Sequence, residues 1–159
     1  MEAKLTMIDF ERKQAEQLQG HFLAIVESSA DAIISNSLDG TVTSWNPAAG
    51  AMFGYTAQEV LGQPLDILIP PECGEEAKQI IASIRLGEHI DHFETMRRRK
   101  NGEVFLVSVS ISPIKDGSGA VIGASNIARD ISNHKRREAY RGMGRDILLV
   151  LNEQEDLKE

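Results

Sequence analysis

Cysteine is almost absent from this 159-residue chain: Cys73 stands alone, so no disulfide can form within the chain. This composition is typical of a protein that folds in a reducing compartment, and we expect a cytoplasmic location. Aromatic residues are also scarce, at 5% of the chain, whereas hydrophobic residues in total reach 42%. That share predicts a globular core built from aliphatic side chains, and the length predicts one domain with room for flanking helices.

Basic residues are outnumbered, with 17 lysines and arginines against 24 acidic residues. An acidic surface repels phosphate backbones and anionic lipids, so we expect neither nucleic acid nor a membrane as a partner. The chain lacks an apolar run long enough to span a bilayer and a signal-peptide pattern. It also lacks a phosphate-binding glycine loop and a nucleophile elbow, so we predict no catalytic residues, no metal site and no enzymatic activity.

The first 28 residues carry a helical pattern with apolar side chains at a spacing of seven. Such a seam is typical of a coiled coil and predicts a homodimer that forms through this helix. An amphipathic helix that packs on its own domain is the alternative, and the pattern does not separate the two. The residues of the seam are Ile8, Ala15, Leu18, Phe22 and Ile25.

Two short strands are predicted at 32–36 and 41–45, because Asp39-Gly40 between them is a strong hairpin signal. Trp45 is expected to point to the outer face of the resulting sheet. Several short helical segments follow. The first begins with Asn46 as its N-cap, and the longest covers 72–86.

Three longer strands are predicted at 92–99, 103–114 and 120–129, with glycine-containing turns between them. Two strands, several short helices and three strands form an α+β pattern. We therefore predict a five-stranded antiparallel sheet with the short helices on one face, flanked by N- and C-terminal helices. Alternation in the middle strand predicts one apolar face, formed by Phe105, Val107, Val109 and Ile111.

Six short motifs resemble a PAS domain in their order, over about two-thirds of the chain. The resemblance implies a sensory and dimerisation module of a longer bacterial signalling protein, such as a histidine kinase or a cyclic-dinucleotide enzyme, with its effector domain in the same polypeptide. It divides the chain into an N-terminal helix at 1–28, the PAS domain at 29–132 and a connector helix at 133–159, whose last part resembles the start of a GAF domain. The motifs are Asp39-Gly40, Asn46-Pro47-Ala48, Phe53-Gly54-Tyr55, Glu59-Val60-Leu61-Gly62, Arg99-Lys100-Asn101-Gly102 and Arg129-Asp130-Ile131-Ser132.

The same resemblance implies a cavity for a small-molecule ligand between the short helices and the inner face of the sheet. A cavity filled by side chains, which would make the domain a structural spacer, is the alternative. Asn126 is the polar exception among the expected lining residues, and a buried amide needs hydrogen-bond partners. The expected lining consists of Met52, Phe53, Ile69, Ile80, Ile84, Phe93, Val107, Val109, Ile111, Ala124 and Asn126.

No cofactor is predicted. Flavin-binding PAS domains of the light-oxygen-voltage class carry a reactive cysteine in a stretch that matches 63–68, where this chain has none. Haem-binding PAS domains carry a helical histidine at the position of Glu76, and a carboxylate does not replace that ligand. His89 and His92 remain as candidate ligands, so a PAS domain that binds haem or flavin through other residues stays an alternative.

Asp130 and Ser132 stand where PAS domains carry an Asp-Ile-Thr pattern at the end of the last strand. The resemblance implies a signal relay: a carboxylate here pairs with a nearby arginine or lysine, or caps the helix that follows. Either contact couples the sheet to the outgoing helix. The basic run at 97–100 is interpreted as the solvated end of a hairpin.

Overall fold

The structure is a computed structural model, and it describes residues 2–133. Nearly all of the predicted connector and its GAF-like end, residues 134–159, lie outside the described residues. Two 3-10 turns at Leu65–Leu68 and Pro71–Cys73 precede the last helix. The helices and strands, in chain order, are α1 Glu2–Ser28, β1 Ala32–Ser37, β2 Val42–Trp45, α2 Pro47–Phe53, α3 Ala57–Val60, α4 Gly74–Arg85, β3 Ile90–Arg98, β4 Val104–Lys115 and β5 Val121–Asp130.

The five strands form one sheet in the order β2-β1-β5-β4-β3, and all neighbouring strands are antiparallel. The α2 helix contacts β1, α3 contacts β2, and α4 contacts β4 and β5. The short helices therefore cover one face of the sheet, which confirms the predicted α+β fold. Strand β5 is central, so it joins the strands of the N-terminal half to those of the C-terminal half.

The core lies between this face of the sheet and the short helices. The predicted alternation in β4 is confirmed: Phe105, Val107, Val109 and Ile111 are all buried, whereas the serines between them are only half-buried. Phe53 from α2 packs edge-to-face on Phe105, with 5.6 Å between ring centroids. Aliphatic side chains and this aromatic pair thus fill the part of the core beneath α2.

The Asn46 side chain joins three elements where the chain enters α2. Its Oδ1 accepts the backbone N–H of Ala49 at 3.0 Å, as an N-cap does, and that of Ile33 at 2.9 Å. Its Nδ2 donates to the carbonyls of Val26 and Asp31, both at 3.0 Å. A buried amide with four partners ties the end of α1 and the start of β1 to α2.

The α1 helix contacts the domain near its C-terminal end. The described side chains between residues 4 and 25 are all exposed, for example Ile8 at 59% and Phe22 at 57%. The alternative in which this helix packs on its own domain is therefore wrong. Among residues 2–133, no helix is both long and apolar enough to cross a membrane.

Trp45 faces the helices, so its predicted position on the outer face is wrong. The register between β1 and β2 shifts next to Ser35, which leaves Thr43 as an extra residue in β2. This bulge reverses the alternation of the strand. The Trp45 ring lies 5.7 Å from the ring of Phe53, and its Nε1 donates to the carbonyl of Tyr55 at 3.0 Å.

Strands β1 and β5 approach closely at Gly123. A Cβ atom added there would lie 2.3 Å from the carbonyl oxygen of Asn36, which belongs to the backbone of β1. Because a backbone carbonyl in a paired strand cannot rotate away, this contact requires glycine.

We predict that Gly123→Ala lowers the free energy of unfolding by about 1–3 kcal/mol, because the new methyl group forces β1 and β5 apart. Urea denaturation followed by circular dichroism measures the change. Gly117→Ala is the matched control: nothing lies within 4 Å of its added Cβ, so it should change stability by less than about 0.5 kcal/mol. Equal losses in the two variants would contradict the assigned close approach.

Candidate ligand cavity and exit junction

A cavity of about 60 Å³ lies between α4, the 3-10 turn at Leu65–Leu68 and the inner face of the sheet. Most of its lining is aliphatic, and Ala77, Ile80, Ile81 and Ile84 come from successive turns of α4. This helix presents them on one side because residues three and four apart share a helix face. Four polar side chains complete the lining: Asn36, Asp66, Arg97 and Asn126.

A smaller cavity of about 30 Å³ lies next to it, towards α2. Leu65, Arg97 and Asn126 line both cavities. These three side chains therefore form the partition between the two spaces.

The predicted lining residues fall into three groups. Ile69, Ile80, Ile84, Ile111, Ala124 and Asn126 line the larger cavity. Phe53 and Val109 line the smaller one, again with Asn126. Met52, Phe93 and Val107 line neither and pack in or against the core instead. The apolar side of α4 faces β4 and β5, which places the larger cavity near the centre of the sheet.

Arg97 is a cavity residue that the sequence interpretation missed. It is only 9% exposed, so the basic run at 97–100 is not simply a solvated hairpin end. Its Nη1 donates to the carbonyl of Met96 at 2.8 Å and to Thr95 Oγ1 at 3.4 Å, and it lies 3.9 Å from Glu76 Oε1. Burial lowers the pKa of the Arg97 guanidinium, and the nearby Glu76 and Cys73 only partly oppose this effect.

The alternation of side chains along β3 was the sequence signal that could have predicted an inward-facing Arg97. Phe93 pairs with Val109, and Arg97 pairs with Phe105, so Arg97 lies on the same face as the core residues of β4. Charged residues are rarely buried, and that general preference outweighed the periodicity in the sequence interpretation.

The polar exception, Asn126, forms a pair with Asn36 across the β1–β5 ladder. Asn126 Nδ2 donates to Asn36 Oδ1 at 2.8 Å and to the carbonyl of Ile34 at 3.3 Å. Asn36 Nδ2 in turn donates to the carbonyl of Ser37 at 2.9 Å. The amide pair is thus held in place at the cavity wall by backbone groups.

The exit of β5 is held by Arg99, two residues beyond Arg97. Arg99 Nη2 donates to Asp130 Oδ2 at 2.7 Å, its Nε donates to Glu103 Oε2 at 3.1 Å, and its Nη1 donates to the carbonyl of Met52. The guanidinium carbon lies 3.7 Å from the centroid of the Phe105 ring, a cation–π contact. One side chain therefore connects α2, the β3–β4 hairpin and the end of β5.

Asp130 connects this arginine to the residues that leave the sheet. Its Oδ1 accepts the backbone N–H of Ser132 at 3.0 Å and also the Ser132 hydroxyl. Partial burial raises the pKa of Asp130, but the hydrogen bonds from Ser132 and Arg99 outweigh it and leave the pKa below its ordinary value. The carboxylate is therefore charged at neutral pH. We refer to Arg99, Asp130 and Ser132 as the exit junction.

A family model described as the PAS domain matches residues 30–133. The chain belongs to the PAS domain family. A crystal structure of a PAS domain from Colwellia psychrerythraea superposes with a TM-score of 0.68 at 23% identity, covering 73% of this chain and 98% of that one. At this identity the superposition shows the shared fold.

Two curated relatives contain similar PAS domains. Two-component system protein A of Emericella nidulans is 33% identical over 103 residues, which make up 63% of this chain and 15% of that protein. The signal transduction histidine-protein kinase AtoS of Escherichia coli is 30% identical over 119 residues, 75% of this chain and 19% of the kinase. This chain is a PAS signalling domain related to two-component proteins, and it spans less than a fifth of either relative. The PAS domain itself is a sensory, non-catalytic module.

A flavin or a haem does not fit the larger cavity of this PAS domain. A volume of about 60 Å³ has room for about four to six water-sized groups, and either cofactor is many times larger. His89 and His92 are exposed and line neither cavity; His89 Nδ1 lies 3.2 Å from Ser112 Oγ. Within the described part of the chain, no three His, Cys, Asp or Glu side chains are grouped to hold a metal ion.

We predict that the Arg99–Asp130 ion pair stabilises the PAS domain by about 1 kcal/mol at pH 7. The folded pKa of Asp130 is lowered, so this contribution is complete above the unfolded pKa of about 3.9 and is lost as the pH falls through the lower folded pKa. The difference in unfolding free energy between the wild type and Asp130→Asn should therefore shrink below about pH 4.

Denaturation of both proteins between pH 7 and pH 2.5 tests this expectation. Asp91→Asn is the control, because Asp91 is exposed on β3 and its replacement removes one carboxylate while leaving the Arg99–Asp130 ion pair in place. If the wild type and Asp130→Asn differ by the same amount at every pH, the ion pair does not stabilise the fold.

Proposed function

We propose that this PAS domain is the sensory and dimerising module of a longer cytoplasmic signalling protein of the two-component type. Its larger cavity binds a small ligand, and its exit junction passes the resulting change to an effector domain in the same polypeptide. One observation carries this proposal: Arg97, which lines the cavity, and Arg99, which holds Asp130, are two residues apart at the end of β3.

The proposed relay is mechanical. A ligand that occupies the larger cavity contacts Arg97 and displaces the end of β3, and Arg99 follows directly after this strand. Because Arg99 bonds to Asp130 and Asp130 bonds to Ser132, a small displacement alters the direction in which the chain leaves β5. A ligand that binds the domain more tightly in one arrangement of the exit junction than in the other shifts the population towards the first arrangement.

We predict that a substitution inside the larger cavity is felt at the exit junction. Ala124→Val adds two methyl groups to the lining and should shift the amide resonances of Asp130 and Ser132. In the Arg99→Gln background the shift at Ser132 should fall by at least half, since the route through Arg99 is cut. Two-dimensional ¹H–¹⁵N NMR spectra of the wild type, Ala124→Val, Arg99→Gln and the double variant measure both effects.

Ile127→Val is the matched control. Ile127 is on the same strand and nearer to the junction, but it is 43% exposed and lies on the outer face. If the Ser132 resonance shifts as much in Ile127→Val as in Ala124→Val, the exit junction does not respond specifically to the cavity, and the proposed relay is wrong. A shift that persists in the Arg99→Gln background would remove Arg99 from the relay.

The proposed homodimer rests on the exposed seam of α1. Its predicted residues Ile8, Leu18, Phe22 and Ile25 are each at least 50% exposed, and Ala15 between them is exposed too. An exposed apolar row on a 27-residue helix is stabilised when a second copy of the helix covers it, although Glu11 interrupts the row between Ile8 and Ala15.

We predict that Phe22→Glu weakens dimerisation by at least tenfold, because it places a charge in the seam of both chains. Sedimentation equilibrium of the wild type should give twice the chain mass of 17.5 kDa at micromolar concentrations. Gln17→Glu adds the same charge beside the seam and should leave the mass unchanged. An unchanged mass for Phe22→Glu, or a monomeric wild type, would refute a dimer through this seam.

A further inference from the structure

The larger cavity contains a buried cation among aliphatic walls, and this combination restricts what it can bind. We infer that the ligand of the cavity is a short-chain monocarboxylate whose carboxylate binds the Arg97 guanidinium and whose hydrocarbon part lies against α4. The inference rests on the proposed function, because it names the class of ligand that the cavity of the sensory module accepts.

The size of the cavity limits the ligand to a few atoms. A water-sized group needs about 10–15 Å³ by the same measure, so about 60 Å³ accommodates about four to six non-hydrogen atoms. Acids with two to four carbon atoms have this size. Larger metabolites would require the helices to move apart.

The lining contains a polar group at the partition and an aliphatic surface on α4. Arg97 and Asn126 lie at the partition towards α2, whereas Ala77, Ile80 and Ile84 line the side formed by α4. A carboxylate on a short aliphatic chain matches this division, since its two ends differ in the same way.

The charge of Arg97 is not fully compensated within the domain. Among the described residues, the hydrogen bonds of Arg97 all leave from Nη1, and the nearest carboxylate oxygen, on Glu76, is 3.9 Å away. Arg99 provides the contrast, because all three of its guanidinium nitrogens donate to an oxygen. A bound carboxylate would accept the remaining N–H groups of Arg97, and the planar fork of a guanidinium matches two carboxylate oxygens.

Two acidic side chains favour a single negative charge on the ligand. Asp66 lines the cavity at its exposed edge, and Glu76 approaches Arg97 from α4. A second carboxylate on the ligand would meet these groups instead of another cation. We therefore expect monocarboxylates to bind more tightly than dicarboxylates of similar length.

Propionate and propionamide provide a direct test, because both have five non-hydrogen atoms and differ in charge. Each is titrated into the wild-type protein while the methyl resonances of Ile80, Ile84 and Ile111 are followed by NMR, with sodium chloride as the ionic-strength control. We expect saturable shifts with propionate and a Kd in the millimolar range, because so few atoms make few contacts. Propionamide should bind at least tenfold more weakly.

Arg97→Gln removes the charge and retains hydrogen-bonding groups. It should weaken propionate binding by about tenfold to a hundredfold, the value of a charge-assisted hydrogen bond, and should leave propionamide binding within about twofold of the wild type. Arg98→Gln is the matched control: it removes the same charge from the next residue, on the opposite face of β3, and should leave propionate binding unchanged. If Arg97→Gln does not fold, Arg97→Lys keeps the charge and loses the fork, and should weaken propionate binding less than tenfold.

Equal affinity for propionate and propionamide in the wild type would overturn the inference, whichever variants fold. So would unchanged propionate binding in Arg97→Gln. In both cases the cavity still binds a small molecule, and the proposed sensory function stands with a different ligand class. If none of the probes shifts the isoleucine methyl groups and Ala124→Val leaves the exit junction unchanged, both the inference and the proposed function fail.

Discussion

The pairing of β5 with both β1 and β4 is the constraint on which the rest of the structure depends. It joins two halves of the chain that are separated by the helical segment, and it requires the close approach at Gly123. The same register pairs Asn126 with Ile34 on one side and Ile111 on the other, so residues distant in sequence meet at the cavity wall. It also pairs Asp130 with Val107, which brings the end of β5 within reach of Arg99. Sheet pairing therefore positions the strand residues of the cavity wall and the end of β5, and α4 closes the cavity over them.

Arg97 at the end of β3 and Arg99 just beyond it lie in different surroundings. Arg99 is surrounded by acceptors and an aromatic ring, and a buried or half-buried charge in such surroundings costs little. Arg97 is more buried and has one carboxylate at a distance of 3.9 Å. A charge with incomplete partners is costly to bury, and the proposed carboxylate ligand would supply the missing partners. The described side chains of α1 between residues 4 and 25 do not pack on the domain, so they remain accessible to a second chain.

The fold was largely predictable because its signals are local. Asp39-Gly40, the Asn46 cap and the alternation of β4 are each decided by a few neighbouring residues, and each is found as predicted. Trp45 was misplaced because a bulge at Thr43 reverses the alternation, and a bulge depends on the partner strand. Arg97 was missed because charged residues are usually exposed, although the period of β3 placed it inward. Of the expected lining, the residues on α4 and β5 meet at the larger cavity, whereas Met52, Phe93 and Val107 do not, because the position of α4 over the sheet is set by packing.

By itself, the sequence determined the number and order of the strands, the apolar face of β4 and the family to which the chain belongs. These properties follow from turn residues, caps and the period of the side chains, which act over a few positions. The tertiary structure alone decided which polar groups share the cavity, which arginine holds Asp130 and how large the cavity is. Those properties depend on distances between residues up to about 90 positions apart, such as Asn36 and Asn126. Such distances are fixed only when the strands pair in register.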